Sequence, residues 1–115
     1  MTTTILAKSL FDDIHLDARA HTSDHWKAKL RTHGQSAVYI VDNRFAPAAT
    51  TGWHSRPGPS LILVVADGFL DPGGGHVHQL RNETGALAGT IAIQLLPKAA
   101  DRRIDVPMAP GNCPF

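Results

Sequence analysis

The chain has a single cysteine, Cys113, so no disulfide can form within it and any covalent bridge would have to reach a second chain. It has no block of like charge: eleven basic side chains stand against ten acidic ones, for a formal net charge of +1. That evenness excludes the concentrated positive field on which nucleic-acid binding and attachment to an anionic membrane both depend. No apolar run approaches the ~20 residues of a membrane-spanning helix. After Met1 to Ala7 the chain turns to Lys8, Asp12 and Asp13 where a secretory leader would carry its apolar core. A cytoplasmic protein is expected, with neither nucleic acid nor membrane among its partners. Internal repeats, linkers and low-complexity tracts are also missing, which argues against an array or a two-domain chain.

What is present suits one small domain over residues 1–115: 43% hydrophobic and 18% charged residues can fold, but the length supports only one core. The pattern divides it into an N-terminal arm (1–25), a β core (26–97) and an extended C-terminal tail (98–115). In the arm, Leu10, Phe11 and Ile14 after Ser9 as an N-cap predict a short helix between Ser9 and Arg19. Trp26, Ala28 and Leu30 alternate with Lys27, Lys29 and Arg31, and a turn at His33–Gln35 leads to β-branched Ala37–Val41. The expected element is a hairpin over Lys27 to Asp42. Ala46 to Ser60 is rich in Pro and Gly and reads as a loop with at most a short strand at Thr51 to His54. Leu61 to Ala66 is an unbroken apolar run, expected to be a strand buried on both faces. A strong turn at Asp71–Gly75 precedes alternation at His76, His78 and Leu80, and Thr90 to Leu96 supplies a last strand. Short strands punctuated by Gly/Pro turns predict an all-β fold, a sandwich or barrel.

Seven histidines in so short a chain direct attention to metal chemistry. On a strand, residues two apart point to the same side, so His76 and His78 would present two imidazoles to one face. His54, where a strand meets a turn, could approach them from a neighbouring strand. Imidazole suits zinc, iron, nickel and copper, although each ring could equally be satisfied by hydrogen bonds. Trp53 and Phe69 could line a ligand pocket or simply pack in the core. His21 and His25 read as a solvated pair, Ser55 lacks the setting of a nucleophile, and the Asp71–Gly75 turn lacks the lysine of a phosphate loop.

Two stretches resemble the cupin superfamily. Gly52-Trp53-His54-Ser55-Arg56-Pro57-Gly58-Pro59 before an apolar strand is similar to the first cupin motif, and Phe69 to Asn82, with its Pro/Gly turn leading to His78 and Asn82, is similar to the second. The resemblance spans roughly Trp26 to Pro97 and implies a small antiparallel β-barrel, a jelly roll, holding a divalent transition metal (Fe, Mn, Zn or Ni) or a small ligand in its mouth. It carries over His54 and His78 as metal ligands; His76 is added from strand geometry alone. Three features depart from the pattern. Arg56 stands where a second histidine is expected and cannot coordinate a cation. No glutamate follows among Pro57 to Val65, and the region between the motifs is shortened as though a hairpin were missing.

The leading expectation is therefore a shortened cupin-type protein binding a metal through His54, His78 and His76, open to a small-molecule substrate and to metal-dependent catalysis. The alternative is a metal-free, non-catalytic binding or assembly module. Arg56 bears on the choice, because a guanidinium repels a metal and attracts a carboxylate; Arg56, with Trp53 and Phe69, is the expected substrate-binding set. The missing hairpin would expose sheet edges near Leu61 to Val65, so a homodimer completing the sheet is expected.

Overall fold

The computed structural model describes residues 1–19, 25–64, 67–71, 73–75 and 77–107, with the backbone alone described at 67–70. Among the described residues nine strands run in chain order: β1 (Thr2–Phe11), β2 (His15–Arg19), β3 (Lys27–Arg31), β4 (Ser36–Phe45), β5 (His54–Ser55), β6 (Ser60–Val64), β7 (Asp67–Asp71), β8 (Ala88–Pro97) and β9 (Ile104–Asp105). The fold is all-β and antiparallel, with no helix among the described residues. No helix there is long and apolar enough to cross a membrane.

The main layer is a five-stranded sheet in the order β1-β4-β8-β6-β7. It forms because β4, β6 and β8 alternate: Ala37, Val41, Phe45, Ile62, Ala92 and Leu96 are buried on the inner face, while Leu61 and Leu63 stand on the other. The apolar centre is small, Val41, Ile62 and Ala92 with Tyr39 against them. Around it the same inner face carries Asn43, Thr90, Gln94, Ser60 and Asp71, all buried. Part of this polar set is satisfied internally, Thr3 donating to Asn43 Oδ1 at 2.8 Å and Asn43 Nδ2 to Thr90 Oγ1 at 3.3 Å.

A second, smaller layer lies over that face. Thr50 bridges Arg81 and His54 bridges His78, so residues 50–54 run antiparallel to 78–81. On the other side β5 pairs with β9, His54 opposite Asp105 and Ser55 opposite Ile104. Asn82 fastens the layer: its buried amide donates to the carbonyls of Phe45, Ala46 and Ala86, and its Oδ1 accepts from the backbone and hydroxyl of Thr84. No described sheet closes on itself, so the fold is two β layers around a cavity, without a shown barrel.

Three expectations are corrected. The N-terminal helix does not form: Thr2 to Phe11 is an edge strand paired with β4 from Thr2 to Phe11 apart from a register shift at Leu6, and β2 begins at His15. Leu10 opposite Ala37 gains a ladder of backbone bonds that an isolated helical turn could not match. The hairpin over Lys27 to Asp42 is also absent, since β3 pairs with β2 and β4 with β1 and β8. The two halves make one long ribbon, in which residues 2–19 run antiparallel to 27–45. A break at 12–14 and 32–35 is held by Thr32 N–H to the Ile14 carbonyl (2.9 Å) and Ile14 N–H to the Thr32 hydroxyl (2.9 Å). β6 is buried on one face only, with Leu61 at 54% and Leu63 at 49% exposure. Within the tail, β9 pairs with β5.

Candidate functional site

His54 sits at the centre of the small layer, 2% exposed. Its position follows from the reciprocal backbone bonds with His78, both 2.9 Å, and from the pairing of β5 with β9. Gly52, with φ of +70°, bends the chain so that its carbonyl returns to the ring. The His54 Nδ1 lies 2.9 Å from that carbonyl, so Nδ1 carries the proton and Nε2 the lone pair. Burial pushes the His54 pKa down; the Gly52 bond opposes this, and the nearby Arg56, His78 and Arg103 lower it further. His54 is thus held as neutral imidazole.

The His78 ring packs edge-on against it, with centroids 4.5 Å apart at 63°. Behind His78, its Nε2 is 3.3 Å from Oδ2 of Asp71, a carboxylate that also accepts from Gly73 N–H at 2.9 Å. Asp71, Ser60 and Gln94 are register neighbours across β7, β6 and β8. Each keeps a buried oxygen with no hydrogen-bond partner among the described residues: Asp71 Oδ2, Ser60 Oγ and Gln94 Oε1. The Asp71 contact with His78 is therefore an ion-pair distance without hydrogen-bond alignment.

Arg56 follows directly on β5. It is half-buried and donates through Nη1 to the Arg102 carbonyl at 2.6 Å. Its pKa is lowered by burial first and then by the charges of Arg103 and Arg102, against which Asp71 acts. Arg103 donates to the Thr51 carbonyl, and Arg102 lies 5.4 Å from the centre of the Tyr39 ring. Arg56, Arg102, Arg103, His54, His78, Gln94 and Thr90 line a cavity of about 90 Å³ between the layers. Its remaining wall includes Met1 and Thr3 from the edge strand and apolar Val41, Ile62 and Ala92.

The expected residues divide as follows. His54, His78 and Arg56 are brought together on this cavity. His76 lies outside the described residues, as do His21 and Cys113; Phe69 is described as backbone only, opposite Ile62. Trp53 is half-buried and does not line the cavity; its carbonyl accepts from Val106 N–H at 3.0 Å. Among the described residues no three His, Cys, Asp or Glu side chains form a metal-holding group. Sequence reasoning missed Arg102, Arg103 and Gln94. The adjacent arginines lay in a tail read as extended, and Gln94 sat in an apolar strand where one polar residue at an inward position was the available signal.

Comparison with family models, with curated proteins and with solved structures finds no match to this chain.

Proposed function

We propose that the protein is a small-molecule binding domain whose interlayer cavity takes a compact anion, a carboxylate or phosphate. The observation that carries this is the charge of the wall: Arg56, Arg102 and Arg103 line the space, and the carboxylates beside them are Asp71, which acts on Arg56, and Asp105, which is paired with Arg103. A guanidinium stays protonated even with its pKa lowered, and its planar fork matches two anion oxygens. A partly dry cavity strengthens that attraction relative to water. Size adds a limit. At about 90 Å³ the space is smaller than the roughly 150 Å³ cavity that holds benzene, so the ligand has only a few heavy atoms. Gln94 Oε1 offers an acceptor for a hydroxyl or amide on the same ligand. Calorimetric titration with acetate, oxalate and inorganic phosphate tests the reading. At least one should bind, and Arg56→Lys should weaken it about tenfold by losing the bidentate contact. Unchanged affinity would reject the role of Arg56.

A second reading, a divalent transition metal on His54 and His78 with His76 as a third ligand, is favoured by the His54 tautomer. A ligating histidine commonly donates its other N–H to a carbonyl, and Nδ1 of His54 does so to Gly52. A metal there would supply Lewis-acid chemistry to the same small ligand. The arginines oppose it, and Arg56→His would relieve that opposition. If the metal reading holds, Arg56→His raises the melting shift produced by Zn²⁺, Ni²⁺ or Mn²⁺; no shift in either protein sinks it.

A further inference from the structure

The polar side chains on the inner face of the main sheet form two rows across the strands. In the first, Thr3, Asn43 and Thr90 are level across β1, β4 and β8 and bond to one another, Thr3 to Asn43 and Asn43 to Thr90. In the second, Asp71, Ser60 and Gln94 are level across β7, β6 and β8, Ser60 being the register partner of both others. This row is not closed on itself. Its members are 4%, 1% and 2% exposed, and each carries a buried oxygen with no hydrogen-bond partner among the described residues. A buried acceptor without a donor is costly, so an unmet one on the wall of a cavity marks where a donor of the ligand belongs.

Of the second row, Gln94 is the member that lines the cavity. Its Oε1 is offered from the main sheet. Arg56 and Arg103 are offered from the facing layer, Arg56 directly after β5 and Arg103 through its bond to the Thr51 carbonyl. A carboxylate without a hydroxyl engages the arginines and has no proton for Gln94. A hydroxyl on the neighbouring carbon supplies that proton without adding charge. An ammonium would also supply one, but it would stand in a space lined by Arg56, Arg102 and Arg103 and be repelled by all three. Asp71, the carboxylate of the row, does not line the cavity and lies 3.3 Å from His78 Nε2.

We infer that the cavity selects the smallest 2-hydroxy acids, glycolate and lactate, with the carboxylate on the arginines and the hydroxyl donating to Gln94 Oε1. This rests on the anion site proposed above and adds its substrate class and the residue that sets specificity. A site built to receive a hydroxyl discriminates against the analogue that lacks one, because the protein acceptor is then left unpaired.

Calorimetric titration of the intact protein with glycolate, acetate and glycine at constant ionic strength and neutral pH tests it. Glycolate should bind at least about tenfold more tightly than acetate, and glycine should bind least. Gln94→Met, close in size and without the acceptor, should bring the ratio of glycolate to acetate affinity to about one. If that variant does not fold, the side-chain amide signals of Gln94 in the wild type decide the same point: they should shift farther on saturation with glycolate than with acetate. Equal wild-type affinities for glycolate and acetate, tighter binding of glycine, a ratio that survives Gln94→Met, or equal shifts of the Gln94 signals would overturn the hydroxyl subsite and leave the anion site standing. Absence of binding by acetate, glycolate, oxalate and phosphate alike would remove the anion site and the hydroxyl subsite with it.

Discussion

A histidine that is neutral because it is buried makes stability depend on pH in a definite direction. The His54 pKa is lower folded than unfolded, so below the unfolded value of about 6.5 the unfolded chain binds the extra proton. The stability this histidine contributes is complete above that pH and is lost as pH falls toward its folded value. Melting temperatures of wild type and His54→Asn measured from pH 7.5 to 5 (a range set by the imidazole titration) should converge as pH falls; parallel curves would show that His54 titrates alike in both states. Asn82 gives a test free of protonation. Asn82→Ala leaves the carbonyls of Phe45, Ala46 and Ala86 without their donor, and urea unfolding should register a loss of about 3 kcal/mol. A loss under about 1 kcal/mol would mean that water replaces the amide. Both residues were legible in sequence as parts of a motif, but their tasks were not. Asn82 is a fastener between segments, and the lone pair of His54 is set by the backbone of Gly52, which no side-chain pattern encodes.

At the scale of elements, the loop over 56–59 meets the turn at 73–75 with no room for side chains. A Cβ on Gly58 would lie 2.0 Å from the Leu95 carbonyl oxygen, and one on Gly73 would lie 2.4 Å from the backbone of Gly58. Backbone atoms cannot step aside as a flexible side chain can, so Gly58→Ala should cost more than about 3 kcal/mol, beyond the ordinary range for overpacking. Gly85→Ala, with nothing within 4 Å of its Cβ, should stay within about 0.5 kcal/mol. Equal effects in denaturant unfolding would contradict the close approach. Strand positions were readable where alternation met Gly/Pro punctuation, as in β8 and the Asp71–Gly75 turn. Pairing was not. Lys27–Arg31 and Ser36–Phe45 are near in sequence and invite a hairpin, yet each is paired with a strand that precedes them both. The ribbon that results depends on contacts up to 42 residues apart, such as Thr2 with Arg44, to which local periodicity is blind.

Across the whole molecule, a five-stranded sheet with a polar inner face and a small layer carrying His54 enclose one charged cavity. The first half of its lining was visible in the sequence because His54 and Arg56 share a segment and His78 follows a conspicuous turn. The other half came from the tail, since Arg102 and Arg103 reach the site only because Val106 N–H bonds to the Trp53 carbonyl and β9 pairs with β5. Binding of a small anion by the arginines of this cavity is the function we propose. The most direct measurement is a side-chain NMR titration following the Nε–Hε signals of the arginines and the ring signals of the histidines as oxalate or phosphate is added at constant ionic strength. Saturable shifts confined to Arg56, Arg102, Arg103, His54 and His78 are predicted. Shifts that never saturate, or that fall equally on exposed Arg19 and Arg44, would contradict the account.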